Sequence, residues 1–290
     1  MTWILIIVVL VILGFILDRE IYFYEGAHLG PLGPRVQAWL YDGWARKYDE
    51  GKRASQMRDG EMLAQPLLAV LKARSISEPF VLDFATGTGR LSHVLLHQPG
   101  FMGRIIALDL SQGMLEQAAS KLSRASAAWR HDTIPLSTRV ELLRHRSLPL
   151  PFPDAAFDVV CALEVLELFP NMDEPLAELT RVLRPGGVLL TSRGTEESGR
   201  KAKVKSATKF ASLLQQNGFE NVQITKWWEL FDRVTALKNG SSSPMDARTL
   251  SEVLCCRACG QVQWQKEMGT WRCRNCGYAL SVTSVGIVLN

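Results

Sequence analysis

The sequence predicts an α/β protein in which helices cover both faces of a mostly parallel sheet, preceded by an apolar helix and followed by a cysteine-rich module. Three observations carry this expectation. Apolar runs rich in β-branched residues and leucine (81–84, 105–108, 140–143, 159–163 and 188–191) alternate with helical stretches from about residue 60 onward. Near the N-terminus stands an uncharged run, "WILIIVVLVILGFIL". Five of the six cysteines crowd into residues 255–276. The chain has 290 residues, 47% of them hydrophobic and 21% charged, which suits a globular protein rather than a disordered one. A net charge of +4 is too modest to argue by itself for nucleic acid.

The apolar run ends at Asp18-Arg19-Glu20. Counted from Met1 it reaches 17 residues, about 25 Å of helix, the short limit for a hydrocarbon core. A cleaved signal peptide would need a basic stretch before the run and a small-residue cleavage site, and both are missing. A buried core helix would show a polar face. The reading is therefore an uncleaved transmembrane anchor, residues 1–20. Arg19, Arg35, Arg46, Lys47, Lys52 and Arg53 all follow the run, so the positive-inside rule places the body of the chain in the cytoplasm at the cell membrane, single-pass. Tyr22, Phe23 and Tyr24 fall where an interfacial aromatic belt would lie.

"GAHLGPLGPR" (26–35) reads as a membrane-proximal linker, part of a linker and lid segment at 21–60. The α/β domain occupies 61–238. Its last two strands, 222–226 and 234–237, are too close for a helical crossover and are expected to form an antiparallel hairpin. "NGSSSPMD" opens a linker at 239–249, and the cysteine module fills 250–290.

The stretch "VLDFATGTGR" (81–90) takes the first strand into a sharp turn, with a helix expected from Arg90. Gly87 and Gly89 permit positive φ and a close approach of ligand to backbone. The P-loop pattern is absent, and the acid Asp83 would attract a cation rather than a phosphate. The next strand ends "IIALDLS", placing Asp109 20 residues after Gly89, where an acid accepts from ribose hydroxyls. An acid near an amino group and another on a ribose describe S-adenosylmethionine better than a dinucleotide.

Residues 44–238 resemble a class I S-adenosylmethionine-dependent methyltransferase of the ubiquinone/menaquinone sub-family. "VLDFATGTGR", "ALDLSQGMLEQA", "LPLPFPDAAFDVV", "LEVLELFPN" and "ELTRVLRPGGVLL" stand in the family's order. The resemblance implies a Rossmann-like sheet. It also implies that Asp83, Ala85, Thr86, Gly87 and Gly89 surround the methionine end of the cofactor, that Asp109 binds the ribose, and that Leu110 and Met114 pack beside the adenine. "WARKYD" (44–49) resembles the lid, with Tyr48 closing over the site, although an ordinary amphipathic helix reads the same way. His145, Arg146 and Ser147 stand where the family usually has Gly-Asp-Ala. Arginine has no acceptor for the adenine amino group, which leaves Ser147 or the backbone at Leu148 to substitute. The family's Glu-x-x-Glu-His becomes Glu164, Glu167 and Leu168. Glu164 is the candidate catalytic residue facing the substrate, or else a structural acid capping the next helix.

"CRACG" (256–260) and "CRNCG" (273–277) are two Cys-x-x-Cys knuckles. They point to one structural zinc held by Cys256, Cys259, Cys273 and Cys276, with Cys255 spare, in a ribbon-like fold. Disulfides are disfavoured by the cytoplasmic topology. The basic stretch "RKAKVKSATK" (200–209) is a solvated face, a patch for anionic head groups, or an RNA contact. The expected function is methylation of a lipid-like or quinone-like small molecule at the membrane face. The alternatives are an RNA or protein methyltransferase and a non-catalytic scaffold.

Overall fold

The structure, a computed structural model, describes residues 2–22, 24–128, 138–198 and 204–290. Five parallel strands form its centre: β1 (Phe80–Phe84), β2 (Arg104–Asp109), β3 (Val140–Arg144), β4 (Phe157–Ala162) and β5 (Leu183–Gly194), in the order β5-β4-β1-β2-β3. β1 and β4 are buried along their whole length, as expected for parallel strands covered on both faces. β6 (Phe219–Trp228) and β7 (Phe231–Lys238) form the antiparallel hairpin, with β7 against β5.

Helices cover both faces. α3 (Gln65–Ala73), α4 (Arg90–Leu96) and α5 (Gln112–Ala128) place Leu67, Leu71, Leu91, Leu95, Leu115 and Ala118 in one apolar cluster. α6 (Asp173–Val182) and α7 (Ala207–Gln216) place Leu176, Leu179, Phe210 and Leu214 in the other.

Before this domain lie two longer helices. α1 (Thr2–Tyr22) exposes its apolar side chains, Trp3 and Phe15 among them. The transmembrane span expected here is not supported: among the described residues no helix is long and apolar enough to cross a membrane. The uninterrupted apolar run, residues 3–17, gives about 22 Å of helix against a core of about 30 Å, and the helix continues through charged residues. α2 (Gly33–Gln56) replaces most of the expected linker and lid segment with one continuous helix. Pro34 lies at its first turn, where a missing N–H costs nothing and the fixed φ suits the helix.

The cysteine module is not detached from the sheet. β8 (Trp264–Glu267), β9 (Thr270–Cys273), β10 (Ala279–Val282) and β11 (Val288–Leu289) form an antiparallel set, and β11 pairs in parallel with β3. One eleven-stranded sheet results. The segment 239–249 is fastened beneath the strands. Met245 N donates to Asp158 Oδ1 at 2.9 Å, Arg184 Nη1 to Ser242 O at 2.9 Å, and Leu250 N to Glu141 Oε2 at 2.6 Å. Asp158 and Arg184 are themselves a buried pair at 2.6 Å. Of the basic stretch, Arg200, Lys201 and Lys203 lie outside the described residues, and Lys209 is exposed at the start of α7.

Candidate active site

At the C-terminal ends of β1, β2, β3 and β4 lies a cavity of about 410 Å³. One wall is the turn after β1. Ala85, Gly87 and Gly89 have φ of 54°, 57° and 73°, so the chain reverses through left-handed backbone before α4. A Cβ on Gly89 would stand 3.1 Å from Ala118 Cβ, whereas a Cβ on Gly87 would meet nothing within 4 Å. Gly89 is therefore required by helix packing, and Gly87 leaves open space on the cavity side.

Asp83 is consumed by this turn. Its Oδ2 accepts from Thr86 Oγ1 at 2.7 Å, Ser92 Oγ at 2.7 Å and Ser92 N at 3.3 Å. Burial pushes its carboxyl up, against those three bonds. Asp109 faces the cavity from the end of β2, accepting from Gly87 N at 2.8 Å and Ser111 N at 2.8 Å. Burial pushes its pKa up to about 6, while backbone donors at Ser111, Gly87 and Leu110 hold it down. A carboxylate has about four acceptor positions, so it retains capacity for a further donor.

The opposite wall comes from α2 and the segment before it. Ala27, Gly33, Pro34, Gln37, Tyr41 and Tyr48 line the cavity. Three acids on α2 or just beyond it fasten this wall. Asp42 Oδ1 accepts from Ser111 Oγ at 2.6 Å and Gly113 N at 2.8 Å, at the N-terminus of α5 where negative charge is favoured. Asp49 accepts from Thr88 Oγ1 at 2.6 Å and pairs with Lys121 at 2.7 Å. Asp59 pairs with Arg90 and accepts from Trp227 Nε1 at 3.1 Å. Burial, with Glu164 and Asp109 nearby, raises the Tyr48 phenol well above its ordinary value, so it stays protonated.

Glu164, in left-handed backbone just past β4, also lines the cavity. Its carboxylate pairs with Lys52 and, at 2.9 Å, with Arg90 Nη1. Its amide donates to Ser192 Oγ at 2.7 Å. It does not cap a helix. Phe84, Val165, Leu168, Phe169 and Pro170 add apolar side chains to the same lining.

A family model described as "Methyltransferase domain" matches residues 82–191, and one described as "Anamorsin, N-terminal" matches residues 137–257. The demethylmenaquinone methyltransferase of Lactobacillus johnsonii is 31% identical over 180 residues, which cover 51% of this chain and 70% of that protein. The chain belongs to the S-adenosylmethionine-dependent methyltransferases. A ubiquinone/menaquinone biosynthesis C-methyltransferase UbiE from Francisella tularensis is 34% identical over 110 residues, covering 38% of this chain and 40% of that one. A solved S-adenosylmethionine-dependent methyltransferase from Aquifex aeolicus superposes with a TM-score of 0.51 at 21% identity, over 68% of this chain and 98% of that one. It shares the fold.

Of the residues expected to hold the methyltransferase cofactor, Tyr48, Ala85, Gly87, Asp109, Leu110, Met114, Ser147 and Leu148 line the cavity. Asp83, Thr86 and Gly89 do not: the acid is bonded inside the turn, Thr86 is one of its donors, and Gly89 packs on α5. The residues present fit the cofactor, because the open space at Gly87 and the acceptor capacity of Asp109 stand side by side. Arg146 lines the same end and lies 3.4 Å from Leu110 O. The sequence pattern did not identify Gln37, Tyr41, Pro34 or Phe169. The regular spacing of Gln37, Tyr41 and Tyr48 along one helix face was the available signal.

The four knuckle cysteines bring their Sγ atoms within 4.8 Å of one another, the metal-capable cluster found among the described residues. Cys256 to Cys276 is 3.6 Å and Cys259 to Cys273 is 3.7 Å. A zinc tetrahedron with bonds of about 2.3 Å has edges of about 3.8 Å, so the donor set fits that ion, and these distances are far beyond a disulfide bond.

Proposed function

We propose that this methyltransferase modifies a lipid-like or quinone-like ring compound drawn from a membrane. One observation carries the reading: a single cavity is lined both by Gly87, Asp109 and Ser147 and by the apolar side chains of Phe84, Leu168, Phe169 and Pro170, and the segment that follows the exposed helix α1 contributes to the same lining. Ala27, Gly30, Gly33 and Pro34, which follow α1 directly, complete the wall. An apolar acceptor leaving a bilayer beside α1 would meet this wall first. The names of the quinone-biosynthesis relatives support the same substrate class.

In this reading Asp109 holds the cofactor ribose, Ala85 and Gly87 border its methionine end, and Leu110, Met114, Ser147 and Leu148 surround the adenine. The cofactor supplies an activated methyl group, so the protein's task is to align the acceptor carbon and exclude water. Glu164 accepts a hydrogen bond from an acceptor hydroxyl, with Lys52 and Arg90 holding the carboxylate in place. Tyr48 closes the cavity as a donor. Cys256, Cys259, Cys273 and Cys276 hold a structural zinc. The chain associates with the cytoplasmic face of the cell membrane by inserting α1, assisted by the exposed side chains of Leu32, Trp39 and Trp44.

Quinone and lipid profiling of a deletion strain tests this, followed by an assay of the purified chain on the species that accumulates. An undermethylated membrane compound that the enzyme methylates in vitro supports the proposal. Methylation defects confined to RNA or protein overturn it.

A further inference from the structure

The segment from His145 to Leu148 lines the cavity, and the α/β domain holds it through His145 N, which donates to Asp109 O at 3.0 Å, and Arg146 Nε, 3.4 Å from Leu110 O. A second set of supports comes from the cysteine module. β11 pairs Val288 with Leu143 and Leu289 with Arg144, extending the sheet beside β3 to the point where this segment begins. Asn290 N then donates to Arg144 O at 3.0 Å. Asn290 Nδ2 lies 3.2 Å from His145 Nδ1, and His145 Nε2 lies 3.3 Å from Pro149 O. With Nδ1 accepting from the Asn290 amide, the ring proton sits on Nε2 and bonds the far end of the same loop. The loop's exit is tied as well, because Cys255 N donates to Pro151 O at 2.9 Å.

These supports trace back to the four thiolates. Cys273 ends β9, which pairs with β10 through Leu280 and Trp271, and β10 pairs with β11 through Val282 and Val288. Trp271, Leu280 and Val288 share one apolar cluster with Leu143, Leu150 and Phe152. The strands are two to four residues long, shorter than the roughly five or six residues typical of globular proteins, so a cross-link adds to their stability. A metal joining Cys256 and Cys259 to Cys273 and Cys276 supplies that cross-link.

We infer that the cysteine module is part of the cofactor site: Asn290 is a positioning residue for the segment His145–Leu148, and a metal ion in the four-cysteine cluster holds Asn290 there. The inference rests on the assignment of this cavity to S-adenosylmethionine and adds that metal occupancy sets its affinity.

The experiment is calorimetric titration of S-adenosylmethionine into the purified full chain, with zinc content measured alongside. Removing the metal with a chelator is expected to raise Kd at least tenfold, with affinity restored on adding Zn2+. Asn290→Ala should raise it about fivefold, the loss of one hydrogen bond. Asn290→Gln, which keeps an amide donor for Nδ1, should recover part of that loss. Met268→Ala, at an exposed turn of the same module, should leave Kd unchanged. Hydrogen exchange separates positioning from unfolding: in Asn290→Ala the amides of residues 144–150 should lose protection while those of 80–90 keep theirs. Unchanged affinity in both the metal-free chain and Asn290→Ala overturns the inference, as does a uniform loss of protection across the sheet. A zinc-loaded wild-type chain that binds no S-adenosylmethionine overturns the cofactor assignment instead.

Discussion

The turn after β1 has its acid bonded nearby, Asp83 to Thr86 and Ser92 three and nine residues away, whereas the segment after β3 adds, to its bonds with Asp109 and Leu110, ties to Asn290 and Cys255 more than a hundred residues distant. Both border the same cavity. The first takes its outside bonds from β2 and α2, through Leu108, Asp109 and Asp49. The second takes part of its support from the far edge of the sheet, where β11 returns beside β3. Only the second depends on the cysteine module, so the two should fail under different perturbations.

The largest effect is expected at the fastening beneath the sheet. Asp158 is fully buried and accepts from Phe80 N at 2.9 Å, Arg184 Nε at 2.6 Å and Met245 N at 2.9 Å. Asp158→Ala leaves the Arg184 guanidinium buried without its carboxylate and should cost about 3–5 kcal/mol of stability by chemical denaturation. It also releases the strand that carries the cysteine module across the domain. Hydrogen exchange should therefore show residues 144–150 loosening before residues 82–90, a range that leaves out the Phe80 amide because it loses its own acceptor. Equal loosening of both would break the comparison.

Asp109 stands between the two segments, accepting from Gly87 on one side and Ser111 on the other. Asp109→Ala should weaken S-adenosylmethionine binding by about 1.5–3 kcal/mol, the range for a charge-assisted contact, as read by calorimetry. A loss no larger than that of Asn290→Ala would mean that the ribose lies elsewhere.

The contrast also explains what was legible in the sequence. The five central strands, the hairpin and the helix from Arg90 follow from alternating apolar runs and turn formers, which are local signals. The local partners of Asp83 were not legible, because composition shows an acid in a turn and not that the Thr86 and Ser92 hydroxyls donate to its Oδ2. α2 was masked by its own residues: Gly33 and Pro34 read as linker, and Gly43 and Gly51 lower helix propensity, yet Asp42 and Asp49 dock it on α5 and the β1 turn. The apolar run was legible, but its length as a span was not met. The pairing of β11 with β3 had no local signature, since a two-residue strand carries no periodicity.

A pH titration sharpens the same division. Burial holds the Asp109 pKa up at about 6, above its ordinary value. Binding that needs the carboxylate should therefore weaken about tenfold between pH 7 and pH 5, as the ionised fraction falls. The group's effect on stability has the opposite sign. Because its folded pKa is raised, its stabilising contribution is fully present below the unfolded value of 3.8 and is lost as pH rises through 6. Asp109→Asn should abolish the pH dependence of binding in this window. If the dependence persists, another group is responsible.

The smallest expected effect concerns Arg146, which stands where relatives of this family usually carry an acceptor for the adenine amino group. Its Nε lies 3.4 Å from Leu110 O, so the side chain spans the cofactor end from the β3 segment to the β2 turn. A guanidinium offers donors only, and the adenine amino group is also a donor, so the pair gains nothing. Arg146→Asp replaces a donor with an acceptor, but it also gives up the weak tie to Leu110 and brings a second carboxylate toward Asp109. The first change should outweigh the loss of the Leu110 tie, because a 3.4 Å contact contributes little. The net gain is expected at about 1 kcal/mol, a fivefold lower Kd for S-adenosylmethionine by calorimetry. Binding of an analogue lacking the exocyclic amino group should not improve. An equal gain for both ligands would assign the effect to charge at the cavity mouth, and a loss for both would show that Arg146 is a strut between the two segments.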